Sequence, residues 1–165
     1  MKTITLQNGG ETAVSDEDFD RLTRHRWSRT KIAHKTGWVG YYVCRIEGHN
    51  VRKVFMHREI LGAGPRELVD HKDRNGLNNT RENLRLADRQ RNMWNVGPMP
   101  RKASKYKGVC LKAATWKWQA YIRDLGKQRY IKQSDSEIVA ALKYDEMASE
   151  LFGEWAVLNF PWVRG

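Results

Sequence analysis

The stretch Val69-Asp70-His71-Lys72-Asp73-Arg74-Asn75, continued by Asn78-Asn79, Arg81-Glu82-Asn83-Leu84-Arg85 and Arg89-Gln90-Arg91-Asn92, constrains this chain more than any other feature. It sets a carboxylate, an imidazole and carboxamides within the short span 70–92 and flanks them with arginines. Carboxylate and amide oxygens are hard ligands for Mg²⁺, and a neutral imidazole takes a proton from water near pH 7. Together they form an inventory for hydrolysing a phosphodiester with one divalent metal. Asn75, Asn78 and Asn79 read as turn residues, because Asn side chains bond nearby backbone and tolerate left-handed conformations. Glu67-Leu68-Val69 reads as a strand ending on the Asp70-His71 pair. A polar loop follows, then Leu84-Arg85-Leu86 as a second short strand and a helix from Asp88 through Met93.

The spacing resembles the HNH nuclease motif, in the variant found in phage and intron-encoded homing endonucleases. That resemblance implies a ββα-metal fold and assigns roles by position. Asp70 and Asn92 fall on the metal ligands, His71 on the general base, and Asn83 on the residue that holds the loop orienting the base. Many such proteins carry His at the last ligand position, where this chain has Asn92. An amide oxygen suits Mg²⁺ or Mn²⁺ better than Zn²⁺, so the expected cofactor is one divalent metal, Mg²⁺ first and Mn²⁺ second. Arg85, Arg89 and Arg91 are candidates for binding phosphates. A His-Arg pair often precedes the motif in these relatives. His57-Arg58 are therefore accessory candidates, to orient the site or contact a phosphate, although His57 reads equally well as a core histidine.

Residues 1 to about 65 open with Ile4 and Leu6, then the acidic Ser15-Asp16-Glu17-Asp18-Phe19. Ser15 or Asp16 is a candidate cap for a short helix with Phe19, Leu22 and Trp27 on its apolar side. The runs Trp38–Val43 and Val51–Met56 are rich in β-branched and aromatic residues and read as strands, with Gly48-His49-Asn50 as the turn between them and His57-Arg58 closing the second. His25, His34 and His49 read as surface or turn residues. Gly97–Ser104 is a linker by composition, broken by two prolines and a glycine.

Charge divides sharply after that linker. Arg101 to Lys132 holds 10 Lys or Arg and one acid, whereas Gln133 to Gly165 holds two basic residues and six acids. The basic half reads as three strands, 106–111, 117–123 and 128–132, with Trp118, Ala120 and Ile122 alternating against Lys117, Gln119, Tyr121 and Arg123. The acidic half reads as one amphipathic helix, with Ser134-x-x-Glu137 as a capping box and Gly153 as its stop. A sheet with a helix on its back and cations on its front suits the DNA major groove.

These residues also resemble the APETALA/ethylene-response-factor DNA-binding domain. The matching pieces are Ser104–Val109, Trp118–Arg123, Ala140–Asp145 and Leu158–Pro161. By that likeness Lys107, Lys112, Trp116, Trp118, Gln119, Arg123 and Arg129 are candidates for DNA contact, though strand alternation equally allows Trp118 to be buried. The family's glycine and aromatic at the end of the third strand are replaced here by Lys132 and Ser134.

The whole chain is thus expected to be α+β. A nuclease domain spans 1–96 with its motif at 66–96, a linker spans 97–104, and a three-stranded antiparallel sheet packed on one helix spans 105–162. The expected activity is that of a site-selective, metal-dependent DNA endonuclease of the homing type. The rival readings are a DNA-binding regulator with an inactive nuclease half, and an enzyme acting on RNA or on DNA without site preference. Double-stranded DNA is the expected partner, which a net charge of +11 favours. No membrane and no protein partner is implied. No apolar run is long enough to span a bilayer, and the polar N-terminus does not read as a signal peptide. Cys44 and Cys110 are too few and too distant for a zinc site or disulfide framework, so an intracellular, reducing compartment is expected, in a bacterium or phage-infected host.

Overall fold

The computed structural model describes residues 1–33, 39–48, 52–98 and 103–163. His34, Trp38, His49, Asn50, Val51 and Met99–Lys102, on which some of the expectations above fall, lie outside the described residues. The chain is mixed α and β and divides into two compact units, Met1–Arg89 and Gln90–Gly165.

The first unit begins with a hairpin, β1 (Lys2–Thr5) and β2 (Glu11–Val14), followed by α1 (Asp16–Leu22). The strands β3 (Ser28–Ala33), β4 (Val39–Glu47) and β5 (Arg52–Phe55) form an antiparallel sheet, and α2 (Met56–Leu61) follows directly. The motif segment then supplies β6 (Leu68–His71), the short β7 (Asn78–Asn79) and β8 (Leu84–Ala87). The hairpin β1–β2 was not legible as strands, and its role is structural: β7 adds to β2 in parallel, pairing Ala13 with Asn78 and Val14 with Asn79. Ile4, Leu6, Val14, Leu22, Trp27, Val43, Met56, Ile60 and Leu84 make one apolar core. Burying such side chains supplies most of the driving force for folding.

Three local expectations change. Ser15 precedes α1 but makes no cap hydrogen bond; its hydroxyl instead accepts from the Arg81 amide at 2.9 Å. Trp27 lies beyond the helix and donates from Nε1 to the Leu22 carbonyl at 2.8 Å. His57 does not close a strand, because β5 ends at Phe55 and His57 sits in α2.

Asp18, buried in α1, receives Arg81 Nε on Oδ2 at 2.7 Å and Arg21 on Oδ1 at 2.7 Å. Burial works to raise its carboxyl pKa, but the Arg81 and Arg21 hydrogen bonds outweigh that and hold it below the usual range. The helix is thereby tied to the segment that carries Asn83.

The second unit starts with α3 (Arg89–Trp94), which opens at the unit boundary, then β9 (Val109–Lys112), β10 (Lys117–Asp124), β11 (Lys127–Ser134) and α4 (Glu137–Phe152). The three strands form an antiparallel sheet with β10 at its centre. Leu125 and Gly126, both at positive φ, make the two-residue turn between β10 and β11, the backbone hand that suits a tight hairpin. α4 packs Ala140, Ala141, Tyr144, Ala148 and Phe152 against Val109, Ala120 and Ile122. Leu151 is exposed, and Phe152 takes the buried place against Trp94. The helix is capped by Ser136, whose hydroxyl accepts from Val139, rather than by Ser134. Ser134 accepts from the Ser136 amide instead.

Asp145 explains why the distant Leu158-Asn159-Phe160 stretch belongs to this unit. Its carboxylate accepts from the amides of Asn159 and Phe160, both at 2.8 Å, and Asn159 in turn brackets the backbone of Lys107. A Cβ on Gly108, which has φ of 71°, would overlap the Tyr144 ring, so glycine is required there twice over. No helix among the described residues is long and apolar enough to cross a membrane.

Candidate nuclease site and candidate DNA-binding sheet

β6 and β8 pair antiparallel, placing Asp70 opposite Arg85 and His71 opposite Leu84. The short strand ends by bonding Lys72 N to Asn83 O, and the loop beyond it turns through Arg74 at positive φ. Asn83 closes this loop from the inside. Its Oδ1 accepts from the Asp73 amide at 3.0 Å, and its Nδ2 donates to Asp73 Oδ1 and to Asn78 O, each at 2.8 Å. Asp73 also accepts from the Asn75 amide and Asn78 Nδ2. The turn reading of Asn75 and Asn78 therefore agrees with their geometry.

Gly76 sits where the loop meets β4. A Cβ there would overlap the Tyr41 carbonyl and crowd the Tyr42 ring. Tyr42 lies 5.7 Å from the His71 ring and 5.5 Å from His57, and the two imidazoles are 5.1 Å apart. Phe55 stacks on His57. His57 is buried and its Nδ1 has no hydrogen-bond partner. Burial, then the charges of His71 and Arg58, push its pKa down to about 3, so it is neutral near pH 7. Its companion Arg58 donates to the carbonyls of Gly64 and Glu67 and so braces the turn before β6.

His71 is only 4% exposed. Burial lowers its pKa, opposed by the Asn79 hydrogen bond and by the nearby carboxylates of Asp73 and Asp70. Its Nε2 faces Asn79 Oδ1 at 3.2 Å. Asn79 was legible only as a turn residue, and it is the side chain that touches the imidazole. No spacing rule separates it from Asn75 and Asn78. The one available signal, that it ends a strand pairing with β2, is tertiary.

Asp70 is buried and accepts from Arg85 Nε at 2.9 Å. Arg85 is thus engaged with the carboxylate expected to ligate a metal, and 11% of its side chain is exposed. Among the described residues no three His, Cys, Asp or Glu side chains gather as a metal cluster. By donor type, a carboxylate and an amide oxygen suit a cation that keeps waters and uses one or two carboxylates, as Mg²⁺ does; they do not suit a closed zinc centre.

Asn92, Arg91 and Gln90 belong to the second unit. There Gln90 donates to Asp124 at 2.9 Å, the Arg91 guanidinium lies over the Trp155 ring, and Trp94 stacks on Phe152. Asn92 is half-buried on this helix. Arg89 is exposed and ends the first unit.

On the sheet of the second unit, cross-strand partners share a face. Lys112 pairs with Lys117 and Cys110 with Gln119, and Tyr121 pairs with Tyr130. Lys112, Gln119 and Arg123 therefore lie on the face away from α4, together with Lys117, Tyr121 and Tyr130. Trp116 stands at the β9–β10 turn, 78% exposed and at positive φ. Three of the expected DNA contacts sit elsewhere. Trp118 packs against the apolar cluster beneath α4, because it alternates in step with Ala120 and Ile122. Arg129 pairs with Ile122, which places it on the helix-side register. The Lys107 ammonium donates to the Trp94 carbonyl.

The chain is similar to an uncharacterised HNH endonuclease of Acanthamoeba polyphaga mimivirus, 34% identical over 148 residues, covering 88% of this chain and 73% of that protein. It is similar to protein 3.8 of Escherichia phage T7, 33% identical over 88 residues, covering 53% of this chain and 72% of that one. A 59-residue stretch is 39% identical to an AP2-like ethylene-responsive transcription factor of Arabidopsis thaliana, 36% of this chain but 12% of that factor's length. No protein-family model and no solved structure gives a match.

Proposed function

The chain belongs to the HNH endonuclease family, joined to an AP2-type segment, and from that premise we propose that it is a site-selective, homing-type DNA endonuclease that hydrolyses phosphodiester bonds with one divalent metal. The observation that supports this reading most is the buried His71, its Nε2 held by Asn79 at the end of β6 and next in the chain to the buried Asp70.

Mg²⁺, or Mn²⁺ in its place, would be held by Asp70 and, by the motif, Asn92, and would offset the charge that develops on the leaving 3′ oxygen. The neutral His71 imidazole takes the proton from a water as its oxygen attacks phosphorus in line and the bond to the 3′ oxygen breaks. Asn83 keeps the loop closed around this histidine through its bonds to Asp73 and Asn78. Arg85 steadies Asp70. His57, neutral and stacked on Phe55, packs the imidazole from behind.

The face bearing Lys112, Lys117, Gln119, Tyr121 and Arg123 supplies the DNA address. Its lysines reach phosphates, while Gln and Arg have the donor geometry to read base edges.

Supercoiled plasmid incubated with the protein and Mg²⁺ is expected to be nicked or linearised, and EDTA is expected to stop the reaction. The variant His71→Ala should keep DNA binding and lose cleavage by at least about 100-fold. DNA retained but uncut in Mg²⁺ and Mn²⁺ alike would favour the regulator reading instead.

A further inference from the structure

Thr12 lies on β2, far in sequence from the motif and 1% exposed. Its hydroxyl is 2.7 Å from the Leu77 carbonyl and 2.9 Å from Asn79 Nδ2. A carbonyl oxygen only accepts, so the single hydroxyl proton of Thr12 is committed to Leu77. Toward Asn79 the hydroxyl oxygen is therefore an acceptor, and the amide atom facing it must be the NH₂ group. The Gly76 carbonyl, 3.2 Å from the same Nδ2, imposes the same orientation a second time. Asn79 is fully buried, and a flipped amide would set its oxygen against two groups with no proton to offer.

This orientation leaves Asn79 Oδ1 facing His71 Nε2 at 3.2 Å. An amide oxygen is only an acceptor, so Nε2 must carry the hydrogen, and in the neutral ring the basic lone pair falls on Nδ1. We propose that Thr12 and Asn79 are positioning residues that select the Nε2–H tautomer of His71 and so choose which nitrogen acts as the base. The chain of donors runs from His71 Nε2 to Asn79, from Asn79 to Thr12, and from Thr12 to the Leu77 carbonyl. The parallel pairing of β2 with β7 keeps it in register. The N-terminal hairpin thereby acts on the chemistry of a histidine to which it is linked through Asn79.

This inference rests on His71 being the proposed base, but its primary readout does not require cleavage. Correlations between ring carbon-bound protons and ring nitrogens in isotope-labelled protein report the tautomer, with the His71 signal assigned by its loss in His71→Ala. The wild type is expected to show Nε2–H at neutral pH. Thr12→Val keeps the shape of the side chain and removes the hydroxyl. It should mix the two tautomers and lower kcat by roughly five-fold, with KM for DNA unchanged. Thr12→Ser keeps the hydroxyl and should restore both. If Thr12→Val fails to fold, Thr12→Ala takes its place in the same comparison. A wild-type Nδ1–H tautomer, or equal tautomer signals in the valine and serine variants, would overturn the relay. A tautomer that moves as expected in a protein that cuts no DNA would support the relay while removing the nuclease reading.

Discussion

Arg85 Nε donates to Asp70 Oδ2 at 2.9 Å, across the pair of strands that ends on His71. Both side chains are largely buried. The carboxylate proposed to hold a metal is therefore already paired with a cation from the neighbouring strand. A buried ion pair offsets its own desolvation only while both partners are present, and removing one leaves an expensive charge behind.

Replacing Arg85 with Leu should therefore destabilise the metal-free protein by about 3 kcal/mol. The proposed metal would substitute for the lost cation, so Mg²⁺ should raise the melting temperature of Arg85→Leu more than that of the wild type. Thermal unfolding in Mg²⁺ and in EDTA measures both quantities. An identical Mg²⁺ effect in the two proteins would argue that Asp70 does not meet the ion.

The second unit separates two residues that sequence placed side by side as DNA contacts. Arg123 lies on the face away from α4, and Trp118 packs toward the core. Arg123→Ala should weaken binding to a cognate site by roughly 1–3 kcal/mol and leave the unfolding midpoint nearly unchanged. Trp118→Ala should do the reverse, lowering stability by about 3 kcal/mol. Salt-controlled binding titrations beside denaturant unfolding distinguish them. A Trp118 variant that is stable but loses site preference would return that residue to the proposed DNA face.

Acid should loosen the first unit through His57. Its pKa falls to about 3 in the folded protein, against 6.5 for an unperturbed histidine, chiefly because burial disfavours the charged ring. A depressed pKa means that the unfolded chain takes up the proton first. The stability that His57 contributes is complete above about pH 6.5 and is lost as pH falls toward about 3, by up to roughly 1.4 kcal/mol per pH unit. Unfolding midpoints across this range should fall less steeply in His57→Phe, which keeps the stack on Phe55 and cannot be charged. Equal slopes would mean that His57 titrates normally.

Much of the molecule was readable from residue types and their spacing. The strand ending on Asp70-His71, the short strand at Leu84 and the helix ending at Trp94 follow from apolar periodicity and turn chemistry, which are local properties. So do the three strands and helix of the basic-then-acidic segment. The β1–β2 hairpin and β3 were not readable, because their residues are only weakly patterned and owe their strand form to partners far along the chain.

Residue identities and their intervals alone set the chemistry on offer: one carboxylate, one imidazole and an amide at motif spacing, with a cationic segment after them. Those identities and intervals are local and survive without knowledge of what packs where. Folding in three dimensions settles which asparagine touches His71, that Arg85 belongs to Asp70, and that Arg129 shares the register of Ile122 while Trp118 packs on the core. Each depends on strand register and on pairing across long stretches of chain, where a shift of one residue exchanges the two faces of a sheet. The site that opened as a run of polar residues after Asp70 is thus completed by Thr12, a buried hydroxyl that no motif names.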